Sequence, residues 1–182
     1  MRYEERTKEQ LMTECRETAE SLRRIEQEFS LLINNIPAMV FRGYDDWAVD
    51  FRSDRIEEIT GYSKADFDSR RLKWAQVIME EDIDLAKRIF IQALKGDRRY
   101  VREYRIRRKD GEIIWIEERS HIVCDPDGRI EYVSGLFFDI TDRVLTEESA
   151  AKNRETLQEM LMERTYELKK ANERLRQAGL SS

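Results

Sequence analysis

Between residues 135 and 146 the hydrophobic period of the chain changes, and this constrains the fold more than any other feature. The stretch reads Gly-Leu-Phe-Phe-Asp-Ile-Thr-Asp-Arg-Val-Leu-Thr. Upstream, apolar residues alternate with polar ones and are interrupted by turn residues, as strands are. Beyond Thr141 there is no proline, and the only glycine is Gly179. That is the pattern of one long polar helix. Phe137, Phe138 and Ile140 are expected to end a buried strand. Asp139 and Thr141 are residue types that accept bonds from the orphan N–H groups of a helix start. A sheet that runs straight into a helix is a mechanical joint.

The upstream segment divides at its turn residues. Residues 39–44 read as a strand, Asp45-Asp46 as a turn and 49–53 as a second strand, forming a hairpin. Residues 55–60 are a short helical pattern stopped by Gly61, and Ser63 opens another. A short apolar patch follows around Trp74, Val77 and Ile78. Residues 82–94 make the strongest internal helix, with Ile83, Leu85, Ala86, Ile89, Phe90, Ala93 and Leu94 on one stripe. Three strands come next, at 100–109, 112–124 and 129–138. Asp110-Gly111 is a hairpin signal. In Asp125-Pro-Asp-Gly128, proline presets φ and glycine takes the left-handed position. Two strands, short helices and a three-strand meander predict an α+β domain on an antiparallel sheet.

The flanks carry heptads. Leu11, Cys15, Thr18, Leu22, Ile25, Phe29 and Leu32 fall alternately four and three residues apart. So narrow a stripe implies a partner helix; a helix lying back on its own domain is the alternative. Pro37 closes the segment. In the tail, Ala150, Leu157, Leu161, Leu168, Ala171, Leu175 and Ala178 share one register, interrupted by Arg154 and Arg164. The alternative there is a solvated single helix. The expected organisation is an N-terminal helix at 1–35, a domain at 36–142 and a C-terminal helix at 143–182. The leading expected assembly is a parallel homodimer through both arms. Heptads alone leave parallel and antiparallel pairing open.

Several function classes are disfavoured. Charged residues make up 39% of the 182, above the usual quarter or so, which fits long exposed helices. Acids and bases are mixed and the net charge is −5, so no nucleic-acid partner is expected. The basic run Arg98-Arg99, Arg102, Arg105, Arg107-Arg108-Lys109 reads as a solvated strand edge that discourages edge-to-edge pairing. No apolar run is long enough to span a bilayer and residues 1–10 show no secretory signal. Cys15 and Cys124 match no metal spacing. The expected location is the cytoplasm. His121 is the single histidine and sits in a strand pattern, so a nucleophile–histidine pair would have to use it. No glycine-rich phosphate loop is present. The chain is not expected to be an enzyme or to hold a metal.

Several pieces, in order, resemble a PAS domain of bacterial sensor proteins over residues 36–143. They are Phe51-Arg-Ser, Ile59-Thr-Gly-Tyr-Ser63, Trp74 with Glu81-Asp82, Glu103-Tyr-Arg-Ile-Arg-Arg-Lys-Asp-Gly111, Trp115-Ile116, Asp127-Gly128 and Gly135 through Thr141. Where the family often has His-Pro after the tryptophan, this chain has Met79-Glu80. The resemblance implies the PAS fold: a five-stranded antiparallel sheet, short helices on one face and a pocket between them. It implies a last strand leading into a signalling helix through Asp139-Ile140-Thr141. Residues 163–175 resemble linkers that precede histidine kinase or diguanylate cyclase output domains, as in two-component systems.

The function so implied is a sensory and dimerisation module that detects a small ligand or cofactor state. A ligand-free scaffold for dimerisation is the alternative. The ligand or cofactor is not named by the sequence. Haem and cysteine-linked flavin are not expected, because the family places those ligating residues on a mid-domain helix that here has neither histidine nor cysteine. The candidate pocket residues are Phe41, Phe51, Tyr62, Trp74, Phe90, Tyr104, Trp115 and Phe137, which as aromatics are also ordinary core residues. Asp139 and Thr141 are the candidate transmission residues. Leu11, Cys15, Leu22, Ile25, Phe29, Leu157, Leu161, Leu168 and Leu175 are the candidate dimer seam. Alternation puts Tyr100, Arg102, Tyr104 and Ile106 on one strand face. It sets Trp115, His121 and Val123 opposite Ile114 and Ile116, without fixing which face looks inward.

Overall fold

The structure is a computed structural model and describes residues 8–179. Helix α1 (Lys8–Asn35) is followed by strands β1 (Met39–Gly43) and β2 (Val49–Phe51). Short helices α2 (Arg55–Thr60) and α3 (Lys64–Asp68) come next, then a 3-10 turn (Trp74–Gln76) and α4 (Glu80–Lys95). Strands β3 (Arg99–Arg107), β4 (Ile113–Cys124) and β5 (Ile130–Asp139) precede the long helix α5 (Thr141–Gly179). Helix α4 begins two residues before its expected start at Asp82, because Glu80, Glu81 and Asp82 suit the positive end of a helix.

The five strands form one antiparallel sheet in the order β2-β1-β5-β4-β3. The last strand is therefore the central one, paired to β1 on one side and β4 on the other. One row across it sets the geometry: Gly135 lies opposite Phe41 on β1 and Ser120 on β4. A β-carbon at Gly135 would stand 2.6 Å from the Arg119 carbonyl oxygen and 2.8 Å from the Phe41 ring, and would collide with the Ser120 hydroxyl. Glycine here lets two neighbouring side chains meet across the strand.

The inward face carries Met39, Phe41, Val49, Phe51, Tyr104, Ile106, Ile114, Ile116, Ile122, Val133 and Phe137. Helices α2 to α4 and the segment around the 3-10 turn cover it, with Ile56 and Phe67 from the helices and Trp74, Val77 and Ile78 from that segment joining the core. On the outer face cations lie over rings: Arg42 over Tyr132 at 4.0 Å, Arg119 over Phe138 at 5.4 Å and Arg105 over Trp115 at 5.7 Å. Trp115 is thus on the outside of the sheet, which corrects its place among the interior candidates. His121 is exposed on the same face.

Helix α4 is pinned to β3 by Asp82. Its Oδ2 accepts from the Arg105 backbone N–H (2.8 Å) and Nε (2.9 Å), and its Oδ1 from a terminal guanidinium nitrogen (2.7 Å). These hydrogen bonds hold the Asp82 carboxyl below its ordinary range. A depressed carboxylate contributes stability above its unfolded pKa of about 3.9 and loses it as pH falls through the lower folded value. Asp82→Asn should therefore cost about 1 kcal/mol at neutral pH, allowing for the partial exposure of Arg105. In urea titrations its gap from the wild type should close below about pH 4; a gap constant with pH would refute the assignment.

From Gln10 onward helix α1 is exposed apart from Ile33. Leu11, Cys15, Leu22, Ile25 and Phe29 all face solvent, so the helix does not lie back on the domain. Leu157, Leu161 and Leu168 of α5 are equally exposed. The side chains of Leu175 and Ala178 lie outside the described residues. No described helix is long and apolar enough to cross a membrane.

Candidate functional site

A cavity of about 210 Å³ opens between the sheet and α4, beside the β1–β2 hairpin. Its inner wall is aromatic. Phe41 and Phe137 stack with centroids 3.9 Å apart and planes 4° from parallel, and Phe137 stacks on Trp74 at 4.4 Å and 8°. Val49 and Val133 complete that wall, and Phe90 and Ile91 line the α4 side.

Four of the aromatics singled out from sequence meet here: Phe41, Trp74, Phe90 and Phe137. The other four do not line the cavity. Phe51 packs edge-on behind Trp74 and Phe67, and Tyr62 packs against Phe67. Tyr104 is buried without lining the cavity, and Trp115 is on the far face of the sheet.

The polar end of the cavity was not evident from sequence. Arg102 of β3 and Glu118 of β4 are 6% and 1% exposed. Arg102 donates from Nε to Glu118 Oε2 at 2.8 Å, one terminal nitrogen is 2.7 Å from the same oxygen, and the other donates to the Ala86 carbonyl at 2.6 Å. Glu118 also accepts from the hydroxyls of Tyr100 (2.6 Å), Tyr104 (2.8 Å) and Ser120 (3.0 Å). Trp74 Nε1 donates to Tyr104 Oη at 2.8 Å. The network runs from the aromatic wall through Tyr104 to Glu118, then to Ser120 beside Gly135. Arg102 is therefore not part of a solvated basic edge; the inward side of β3 takes it into an ion pair.

The charges in this network are settled by their neighbours. Burial is the strongest influence on the Arg102 guanidinium and would lower it, but the Glu118 carboxylate and the neighbouring Tyr104 and Tyr100 together hold the group above its ordinary value. Burial, reinforced by the charge of Glu118, pushes the phenols of Tyr100 and Tyr104 well above their ordinary value, so both act as neutral donors.

Trp47 closes the cavity from the hairpin. Its backbone is left-handed, with φ of 66°, a conformation costly for a bulky residue. Two bonds hold it there, Trp47 N–H to the Tyr44 carbonyl (3.2 Å) and Trp74 N–H to the Trp47 carbonyl (3.0 Å). Its indole lies 5.4 Å from the Arg102 guanidinium carbon. Among the described residues no cluster of His, Cys, Asp and Glu is arranged to hold a metal.

A family model described as the PAS fold matches residues 49–137. The chain carries a PAS domain. Solved structures share its architecture. The sensory box histidine kinase/response regulator from Burkholderia thailandensis E264 superposes with a TM-score of 0.59 at 22% identity, covering 71% of this chain and 97% of that one. A PAS domain from Colwellia psychrerythraea gives 0.55 at 19%, covering 65% and 98%. In sequence, the chain is 34% identical over 126 residues to the methyl sulfide methyltransferase-associated sensor of Methanosarcina acetivorans. That match covers 68% of this chain and 12% of the relative, so the chain spans only a small part of the relative's length. The cavity of this PAS domain lies on the helix-covered face, and the strand that borders it, β5, is the one that leads out of the domain.

Proposed function

We propose that the chain is the sensory and dimerisation part of a cytoplasmic signal-transduction protein. The observation that carries this reading is the course of β5. Val133 and Phe137 on this strand line the cavity, and one residue, Ile140, separates its end from the 39-residue helix α5. A molecule in the cavity acts by favouring one packing of β5 over another, through its difference in affinity for the two. Asp139 and Thr141 pass the difference to α5. The exposed apolar residues of α1 and α5 meet their counterparts in a second copy, making a homodimer. The chain itself performs no catalysis, and a histidine kinase or diguanylate cyclase domain is the output it would drive. The Methanosarcina relative is named a sensor and is much longer than this chain, and both facts support this reading.

The test is cysteine crosslinking along α5. Leu157→Cys, Leu161→Cys and Leu168→Cys are made singly in a Cys15→Ser background, with and without the cavity-filling change Ala48→Leu. The crosslinking pattern should change when the cavity is filled, and Asp139→Ala with Thr141→Ala should abolish the change. Absence of crosslinks at all three positions would remove the dimer. An identical pattern with the cavity open or filled would leave the ligand-free scaffold.

A further inference from the structure

We infer that the cavity takes a neutral, flat aromatic molecule of one or two rings bearing a single oxygen acceptor, which Arg102 reads. This rests on the sensory reading above and names the chemistry that it leaves open.

Size comes first. An apolar cavity of about 150 Å³ accommodates one benzene, and drug-sized pockets begin near 300 Å³. At about 210 Å³ the site fits one ring or two fused rings and is too small for a porphyrin. Shape follows from the wall: Phe41, Phe137 and Trp74 are parallel within 8° from ring to ring, and a flat guest can continue such a stack.

Charge decides the polar group. The ionisable lining consists of two acids, Asp45 and Glu118, and two bases, Lys87 and Arg102, so it is neutral overall. Lys87 and Asp45 are exposed at the rim, and the buried pair neutralises itself. A carboxylate brought inside would lose its hydration without a free counter-charge. It would also approach Glu118, a like charge.

A neutral acceptor has a partner. A guanidinium carries five N–H groups, and Arg102 directs three toward Glu118 and Ala86. Each terminal nitrogen retains a second N–H on a residue that lines the cavity. Those donors are held in place by the ion pair and by the rings of Trp47, Tyr100 and Tyr104 around the guanidinium, at 4.9 to 5.4 Å. An amide, aldehyde or ketone oxygen placed there gains a charge-assisted bond.

Three probes of one shape separate these terms: 2-naphthamide, 2-naphthoate and naphthalene, titrated by calorimetry into the full chain. The amide should bind about tenfold or more tightly than either of the others. Arg102→Lys keeps the charge opposite Glu118 but removes the fork, and in it the amide should keep less than about threefold advantage over naphthalene. Naphthoate binding as well as the amide, an amide advantage that survives in Arg102→Lys, or no binding of any probe overturns the inference. Native mass spectrometry and the α5 crosslinks distinguish its failure from that of the sensory reading. A co-purified molecule of other chemistry that shifts the crosslinks sinks this ligand class and leaves sensing intact. Saturating naphthamide that leaves the crosslinks unchanged sinks sensing and leaves the site.

Discussion

Glu118→Leu should destabilise the domain by about 3–5 kcal/mol, the scale of leaving a buried charge without its partner. The carboxylate is 1% exposed and meets Arg102, Tyr100, Tyr104 and Ser120. Its removal leaves Arg102 buried and uncompensated, and three hydroxyls lose an acceptor. The double change Arg102→Met with Glu118→Leu should recover part of the loss, because the ionic component vanishes while the hydroxyl component remains. Urea unfolding of the two single variants and the double variant measures the coupling. A Glu118→Leu cost below about 1 kcal/mol would mean that water reaches the pair and screens it.

Gly135→Ala should cost about 1–3 kcal/mol, toward the upper end of that range. The Ser120 hydroxyl and the edge of Phe41 can give way, but the Arg119 carbonyl oxygen, 2.6 Å from the added carbon, belongs to the β4 backbone. The neighbouring change Ser134→Ala, at an exposed position of the same strand, should stay within about 0.5 kcal/mol and serves as the control. Gly135→Ala should also disturb the cavity, since it displaces Phe41 and the serine bonded to Glu118. Equal midpoints for the two variants in thermal unfolding would remove the close-packing argument.

Local signals made much of the fold legible. Asp110-Gly111 and Asp125 to Gly128 are turns whose glycines take positive φ, and they separate the three long strands as expected. Gly61, with φ of 74°, ends α2, and Ser63 caps α3 in a reciprocal pair with Asp66. The site was less legible because the period of a strand is blind to which face is buried. On β4, Trp115 marks one face and Ile114 with Ile116 the other, and by apolar character the two faces compete. Arg105 shields the Trp115 ring from outside, which lets a large aromatic stay on the solvent side. Glu118 falls on the buried face at the same spacing as Ile114, Ile116 and Ile122. An acid in that series is the signal that could have found the pair, with Arg102 between Tyr100 and Tyr104 as its match. Nothing local announces that Trp47 adopts a left-handed backbone, since bonds to Tyr44 and Trp74 impose it.

Because β5 lies in the middle of the sheet, tension entering it from α5 is shared between two ladders. Nine residue pairs join it to β4 and five to β1. An edge strand in its place would peel from one neighbour, one bond after another, and its end would come away while the rest of the domain stood. A central strand resists until both seams yield together. In the function proposed above, the connection works as a stiff axle, able to carry small displacements outward without tearing the element that drives it.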